Sequence, residues 1–209
     1  ALLHAADANN TEVVRELLKN EQVRRHVNFT TETHSLEPIV YAAYNGNYDM
    51  FKLLLAVPDV KIDGAVLYQA IAHNQNMLTD LLARKDIDFN QVSATERGQD
   101  AFPAFGLFAA DPKTGKPLLD DNTARDRLVL IASRIKLNAQ DELGKTLLIM
   151  AVEQAKSKTI EKLLELGAAV TLVDKDGKTA LDYARELKTY NKERIIKLLQ
   201  EAAKKQMEI

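Results

Sequence analysis

The 209-residue sequence contains no cysteine. A disulfide framework, a thiol nucleophile and a thiolate zinc site are therefore excluded, and the composition fits a reducing compartment, with a cytoplasmic location the expectation. It also lacks a surplus of charge: 28 Lys and Arg face 30 Asp and Glu. Such a balance creates no field to draw in a nucleic-acid backbone or an anionic membrane, so neither partner is expected. Long apolar runs are missing too. The most apolar stretch, Ala101 to Ala110, is half the length of a membrane span and carries Pro103 and Gly106. The first residues show no basic stretch followed by an apolar one, as a secretory leader would. Histidine is sparse: His4, His26, His34 and His73 are too scattered for a zinc site or a base-nucleophile pair. Ser35, Ser93, Ser133 and Ser157 have no nucleophile-elbow context. No residue set resembles an enzyme active site, and no cofactor is expected.

What the chain does have is 46% hydrophobic residues, ample for a core, and an internal repeat. DELGKTLLIMA, Asp141 to Ala151, realigns on DKDGKTALDYA, Asp174 to Ala184, at a separation of 33 residues. Each copy opens on a turn signal, Asp followed by Gly144 or Gly177. Thr146 or Thr179 then stands where a hydroxyl can cap the first free amides of a helix. A second helix follows, with Ile160, Leu163 and Leu164, then Ile195, Leu198 and Leu199, at three-four spacing. Gly167 supplies a C-cap and a route into the next turn. Each unit is thus a helical hairpin that cannot cover its own apolar face and must stack on its neighbours.

These residues resemble the ankyrin repeat, whose pattern runs DxxGxTPLHxAAxxGHxxIVxxLLxxGA. A third good copy is EPIVYAAYNGNYDMFKLLL, Glu37 to Leu55. A truncated copy runs from Ala5 to Leu18, with Asn9 where the family usually has glycine, and a shorter one from Leu67 to Leu82 has lost a residue between its helices. In the irregular fourth copy Asp100 takes the capping place, FPAFGLFAAD reads as a first helix and RDRLVLIA as a second. DPKTGKPLLDDN, Asp111 to Asn122, is an insertion that Pro112, Gly115 and Pro117 make a loop or small hairpin. The resemblance implies an all-α solenoid forming one domain over 1–209, with repeats near 1–30, 31–62, 63–93, 94–140, 141–173 and 174–209. The junctions are uneven: Leu18 to Glu37 carries four extra residues, and the turn between the second and third repeats lacks a full finger. At the N-terminus the front half of a repeat is absent, so Leu2 and Leu3 are expected to face solvent unless more chain precedes them. We therefore expect this to be a piece of a longer protein.

Several motifs dissolve on inspection. The two GKT triplets, at Gly144 to Thr146 and Gly177 to Thr179, lack the phosphate-loop glycine five residues earlier, where Ala139 and Leu172 stand. DKDG at Asp174 to Gly177 lacks the further acidic ligands of a calcium loop. Asp111, Asp120 and Asp121 could hold a cation, but solvated loop charges explain them as well. The resemblance implies partner binding in the concave groove of turn tips and first helices. Carried over by position, the candidates are Thr33, His34, Leu36, Tyr44 and Asn45 in the second repeat, and Ala72 and His73 in the third. The fourth offers Glu96, Arg97 and Gln99, with Leu107 and Phe108 either exposed anchors or buried beneath the insertion. The last two offer Glu142, Leu143, Lys145, Glu153, Gln154, Lys175, Asp176 and Lys178. The expected function is a monomeric protein-interaction or scaffolding module. The alternative is a regulatory or targeting segment of a larger multidomain enzyme or of a secreted bacterial effector, which would place it in host cytoplasm.

Overall fold

The computed structural model describes residues 1–31, 36–94 and 100–208; the side chains of 93, 94, 100 and 101 are not described. The chain forms two compact units, Ala1–Ile87 and Asp88–Ile209.

Unit 1 holds three helical pairs: α1 (Leu2–Asp7) with α2 (Thr11–Leu17), α4 (Pro38–Tyr44) with α5 (Tyr48–Leu55), and α6 (Gly64–His73) with α7 (Gln75–Ala83). First helices pack on first helices, α1 on α4 and α4 on α6. Second helices do likewise, α2 on α5 and α5 on α7. The result is two layers with the apolar sides turned toward each other. Ile39, Ala42, Phe51, Leu54, Leu67, Ile71, Leu78 and Leu81 are completely buried between them. Alanines in the first helices allow the close approach that such stacking requires. The extra residues after Leu18 form a short additional helix, α3 (Glu21–Arg25), begun by Asn20, whose side chain accepts from the Gln22 amide. Leu2 and Leu3 are buried rather than open to solvent. The expectation of an exposed edge fails because the α3 segment lies beside them: Val23, His26 and Phe29 share with them the wall of a cavity of about 310 Å³.

The shortened third repeat is joined economically. Asn74 ends α6 and caps α7, accepting from the amides of Asn76 and Met77, so one residue serves where two normally would.

Unit 2 repeats the two-layer plan. A 3-10 helix (Pro103–Phe108) precedes α8 (Asp121–Ile131). They are followed by α9 (Leu147–Glu153) with α10 (Ser157–Glu165) and by α11 (Ala180–Glu186) with α12 (Lys192–Met207). The 3-10 helix packs on α9 and α9 on α11; α8 packs on α10 and α10 on α12. Leu107, Leu128, Leu147, Ala151, Val152, Ile160, Leu163, Ala184 and Ile195 are fully buried. Two corrections to the fourth repeat arise here. Asp100 does not cap a helix: it lies in β2 (Asp100–Ala101), antiparallel to β1 (Ser93–Ala94). The helix starts after Phe102 without a side-chain cap and is only a six-residue 3-10 turn. Pro103 and Gly106 within so short a run leave too few intrahelical hydrogen bonds to nucleate an α-helix.

Candidate functional site

In each of the last two repeats the aspartate organises a finger. The Asp141 side chain accepts from the Leu143 amide at 2.9 Å and the Lys145 amide at 2.7 Å. Asp174 accepts from Asp176 and Lys178 at 3.0 and 2.9 Å. Gly144 and Gly177 take positive φ, 78° and 75°, which turns the chain back so that Thr146 and Thr179 start α9 and α11. Thr146 accepts from the Ile149 amide; Thr179 and Asp182 form a reciprocal capping box. The two fingers are tied together. The Lys175 amide donates to the Leu143 carbonyl at 2.9 Å, and the Gln140 amide group donates to the carbonyls of Gly144 and Val173 at 2.6 and 2.8 Å.

Beneath the fingers lies a charged aromatic ladder. Two ammonium groups lie over the Tyr183 ring, Lys145 Nζ at 5.2 Å and Lys178 Nζ at 5.4 Å from its centroid. Its hydroxyl donates to Asp174 at 2.5 Å. Lys145 pairs with Glu153 at 2.5 Å and Lys178 with Glu186 at 2.8 Å, each carboxylate eight residues on. The hydrogen bond from Tyr183, followed by that from the Lys178 amide, holds the Asp174 carboxyl below the ordinary carboxylate range. The same carboxylate pushes the Tyr183 hydroxyl far up. At the tips two apolar side chains remain uncovered, Leu143 at 53% and Val173 at 44% exposure.

Of the residues singled out from sequence, the structure gathers Glu142, Leu143, Lys145, Glu153, Lys175, Asp176 and Lys178 on this face of unit 2. Gln154 is turned away: its amide donates to the Phe108 carbonyl at 2.8 Å, at the opposite end of α9. In unit 1, Tyr44 and His73 meet edge to face, with ring centroids 5.5 Å apart. Leu36 is half-buried and Asn45, which ends α4, is exposed. Thr33, His34, Glu96, Arg97 and Gln99 lie outside the described residues.

Three further candidates have a clear place in the structure. Leu107 and Phe108 are buried, at 0% and 7% exposure, because the 3-10 helix turns them into the core against α8 and α9. Ala72 is buried at 2%, as expected of the small side chain that lets first helices close up. The three loop aspartates form no metal cluster: among the described residues no group of histidine and carboxylate side chains is placed to hold a metal. Asp111 instead accepts from the amides of Lys113 and Thr114, Asp120 caps α8, and Asp121 accepts from the amides of Lys158 and Thr159. Sequence reasoning missed Tyr183, Val173 and Gln140. The last two had a signal, because each directly precedes a finger aspartate, 33 residues apart.

Two-layered stacks of paired helices joined by glycine-turned fingers define the ankyrin class of repeat protein, and this chain has that fold. Residues 2–93 match the family described as ankyrin repeats (3 copies). No curated protein matches the chain. Among solved structures it is similar to a chain from the complex of the predatory endopeptidase Bd0816 of Bdellovibrio bacteriovorus with the immunity protein Bd3460. That likeness has a TM-score of 0.67 and 24% identity, over 96% of this chain and 97% of the other. An ankyrin repeat domain from Acinetobacter baumannii AYE gives 0.67 at 20% identity over 97% of each chain. The ankyrin repeat protein EF0377 gives 0.63 at 21% over 96% of each. At these identities the likeness establishes the fold alone. Among the described residues no helix is long and apolar enough to cross a membrane.

Proposed function

We propose that this chain is a protein-binding module in which each unit presents its own contact surface of turn tips and first helices. In unit 2 that surface is Glu142, Leu143, Lys145, Glu153, Lys175, Asp176 and Lys178 together with Tyr183 and Val173; in unit 1 it is Tyr44 and His73. The observation that carries the reading is the pair of uncovered apolar tips, Leu143 and Val173, above a Lys145–Tyr183–Lys178 ladder whose charges are already paired. Apolar anchors ringed by fixed polar groups are the pattern that dominates interface energies. Groups held in place before contact lose little freedom on binding. The similar chain from the endopeptidase and immunity-protein complex belongs to a protein-protein assembly, which supports a partner of the same kind here.

The test is an affinity capture comparing the intact chain with a variant carrying Tyr44→Ala, Leu143→Ala and Lys145→Ala. The proposal expects recovery of the principal partner to fall at least tenfold with the variant, while its thermal melt stays cooperative. Equal recovery of the same proteins by both forms would place the contact surface elsewhere.

A further inference from the structure

At the end of unit 2 away from the fingers, three segments lie side by side where first helices give way to second helices. They are the insertion with the start of α8 (111–122), the turn between α9 and α10 (154–158), and the approach to α12 (187–192). Side chains join them in a row. Lys156 Nζ donates to the Leu119 carbonyl, Lys158 Nζ donates to Asn122 at 2.7 Å, and Asn191 donates to the Ala155 carbonyl at 2.8 Å.

The charge of this edge departs from that of the chain. It holds six lysines, Lys113, Lys116, Lys158, Lys188 and Lys192 at the surface and Lys156 buried beneath them, against three aspartates, whereas the whole chain has a net charge of −2. Several other cations of unit 2 lie against carboxylates: Arg125 with Asp126, Lys145 with Glu153, Lys162 with Glu165, Lys178 with Glu186, and Arg194 with Glu161. Among the described residues, none of the six edge lysines makes such a pair. The contact partners of the three aspartates are backbone amides and threonine hydroxyls, and none of the lysines forms an ion pair with them. The insertion that carries Lys113 and Lys116 is well built. Asp111 and Gly115 close a turn, Ala110 bridges Pro117, and Leu119 is buried beneath. Exposed apolar groups accompany the charge, Leu118 on the insertion and Tyr190, which is fully exposed, in the last turn.

We infer that this edge is a second interaction surface, independent of the finger face, that takes an acidic polypeptide segment. Exposed ammonium groups, Lys113 and Lys116 on a preformed loop with Lys188 on the approach to α12, gain Coulomb energy from carboxylates at little cost in ordering. Leu118 and Tyr190 offer apolar contacts that such a segment can use. A nucleic acid fits less well: a duplex carries about one phosphate per 1.7 Å along its axis, which forces anions against Asp111, Asp120 and Asp121. A peptide places side chains at about 3.3–3.6 Å per residue and can leave those positions uncharged.

The test uses the full chain and a fluorescent ten-residue oligoglutamate peptide, read by anisotropy at low and at physiological ionic strength. Binding that weakens with salt is expected. It should fall at least tenfold in a variant with Lys113→Glu, Lys116→Glu and Lys188→Glu, and stay within twofold in the Tyr44, Leu143 and Lys145 alanine variant. That second arm separates this surface from the finger face. The inference is overturned by no binding at low salt, by equal binding to the charge-reversed variant with an unchanged melt, or by tighter binding of a ten-nucleotide DNA strand.

Discussion

Ala155 sits in the left-handed region, at φ 51°, in the turn that leads into α10. The corresponding place in unit 1 is Gly46, at φ 63°. A non-glycine residue in this conformation costs roughly 1–2 kcal/mol, partly offset by the smaller unfolded-state freedom of alanine. Ala155→Gly should therefore stabilise the protein by up to about 1 kcal/mol in urea unfolding; a loss of stability would show that the turn is not strained. Gly144 presents the reverse case. A Cβ there would lie 2.9 Å from the Lys175 backbone nitrogen, in the neighbouring finger, so Gly144→Ala combines a forbidden φ with a backbone clash and should cost about 1–3 kcal/mol. At Gly177 a Cβ would meet open space, and the same substitution should cost less. Tyr183 makes a prediction about pH. Because the folded state depresses the Asp174 carboxyl, the resulting stability is fully present above the unfolded carboxylate value and is lost as pH falls through the depressed folded value. Tyr183→Phe removes the main cause of that depression. The variant should melt lower than the wild type near neutral pH, and the gap should narrow steadily below about pH 4. A gap independent of pH would mean that the hydroxyl does not stabilise the fold through the ionised Asp174 carboxylate.

At the scale of elements, the turns between paired helices matter as much as the helices. Asn47 caps α5 by accepting from the Met50 amide at 3.0 Å, and its amide group donates to Asn9 and Thr11 of the preceding repeat, both at 2.8 Å. Asn74 reaches back to the Gly46 carbonyl and Asn191 to that of Ala155 in the same way. Each asparagine thus both starts a second helix or stands at its head and fastens one repeat to the one before. Asn47→Ala should cost about 2 kcal/mol, the sum of a lost cap and an unpaired neighbour, whereas Asn45→Ala two residues away should be near neutral; equal effects would refute the fastening role. The finger aspartates, their glycines and the capping threonines were legible in the sequence because each obeys a local rule of turn or cap chemistry. Less legible were features that depend on a neighbour in space. Lys156 reads as a surface lysine, yet it is buried with its charge disfavoured by desolvation and its ammonium on a carbonyl of the insertion. Four extra residues after Leu18 were countable, but not their folding into α3 and covering Leu2 and Leu3. The 3-10 helix is a further instance: six consecutive buried residues, Pro103 to Phe108, carry no periodicity by which an inner face could be told from an outer one. On the candidate face, Leu143 and Lys145 could be placed by repeat position, while the role of Tyr183 emerges only once two successive repeats each put a lysine over its ring.

For the molecule as a whole, stability in a repeat stack is roughly a sum of terms for each repeat and for each interface between neighbours. Each unit here encloses three helical pairs with a completely buried core of its own, and three repeats are about the number at which such a stack becomes self-supporting. Expressed separately, residues 1–87 and 88–209 should each show helical circular dichroism and a cooperative melt. The second fragment should be the more stable. Its core includes the long terminal helix α12, which packs on both α10 and α11. Because the Lys145–Tyr183–Lys178 ladder lies wholly within 88–209, that fragment should also retain the part of partner binding that depends on Leu143. If it folds but binds nothing that the full chain binds, the contacts around Tyr44 and His73 dominate recognition. If it fails to fold, residues 88–209 are not self-supporting and the prediction is wrong.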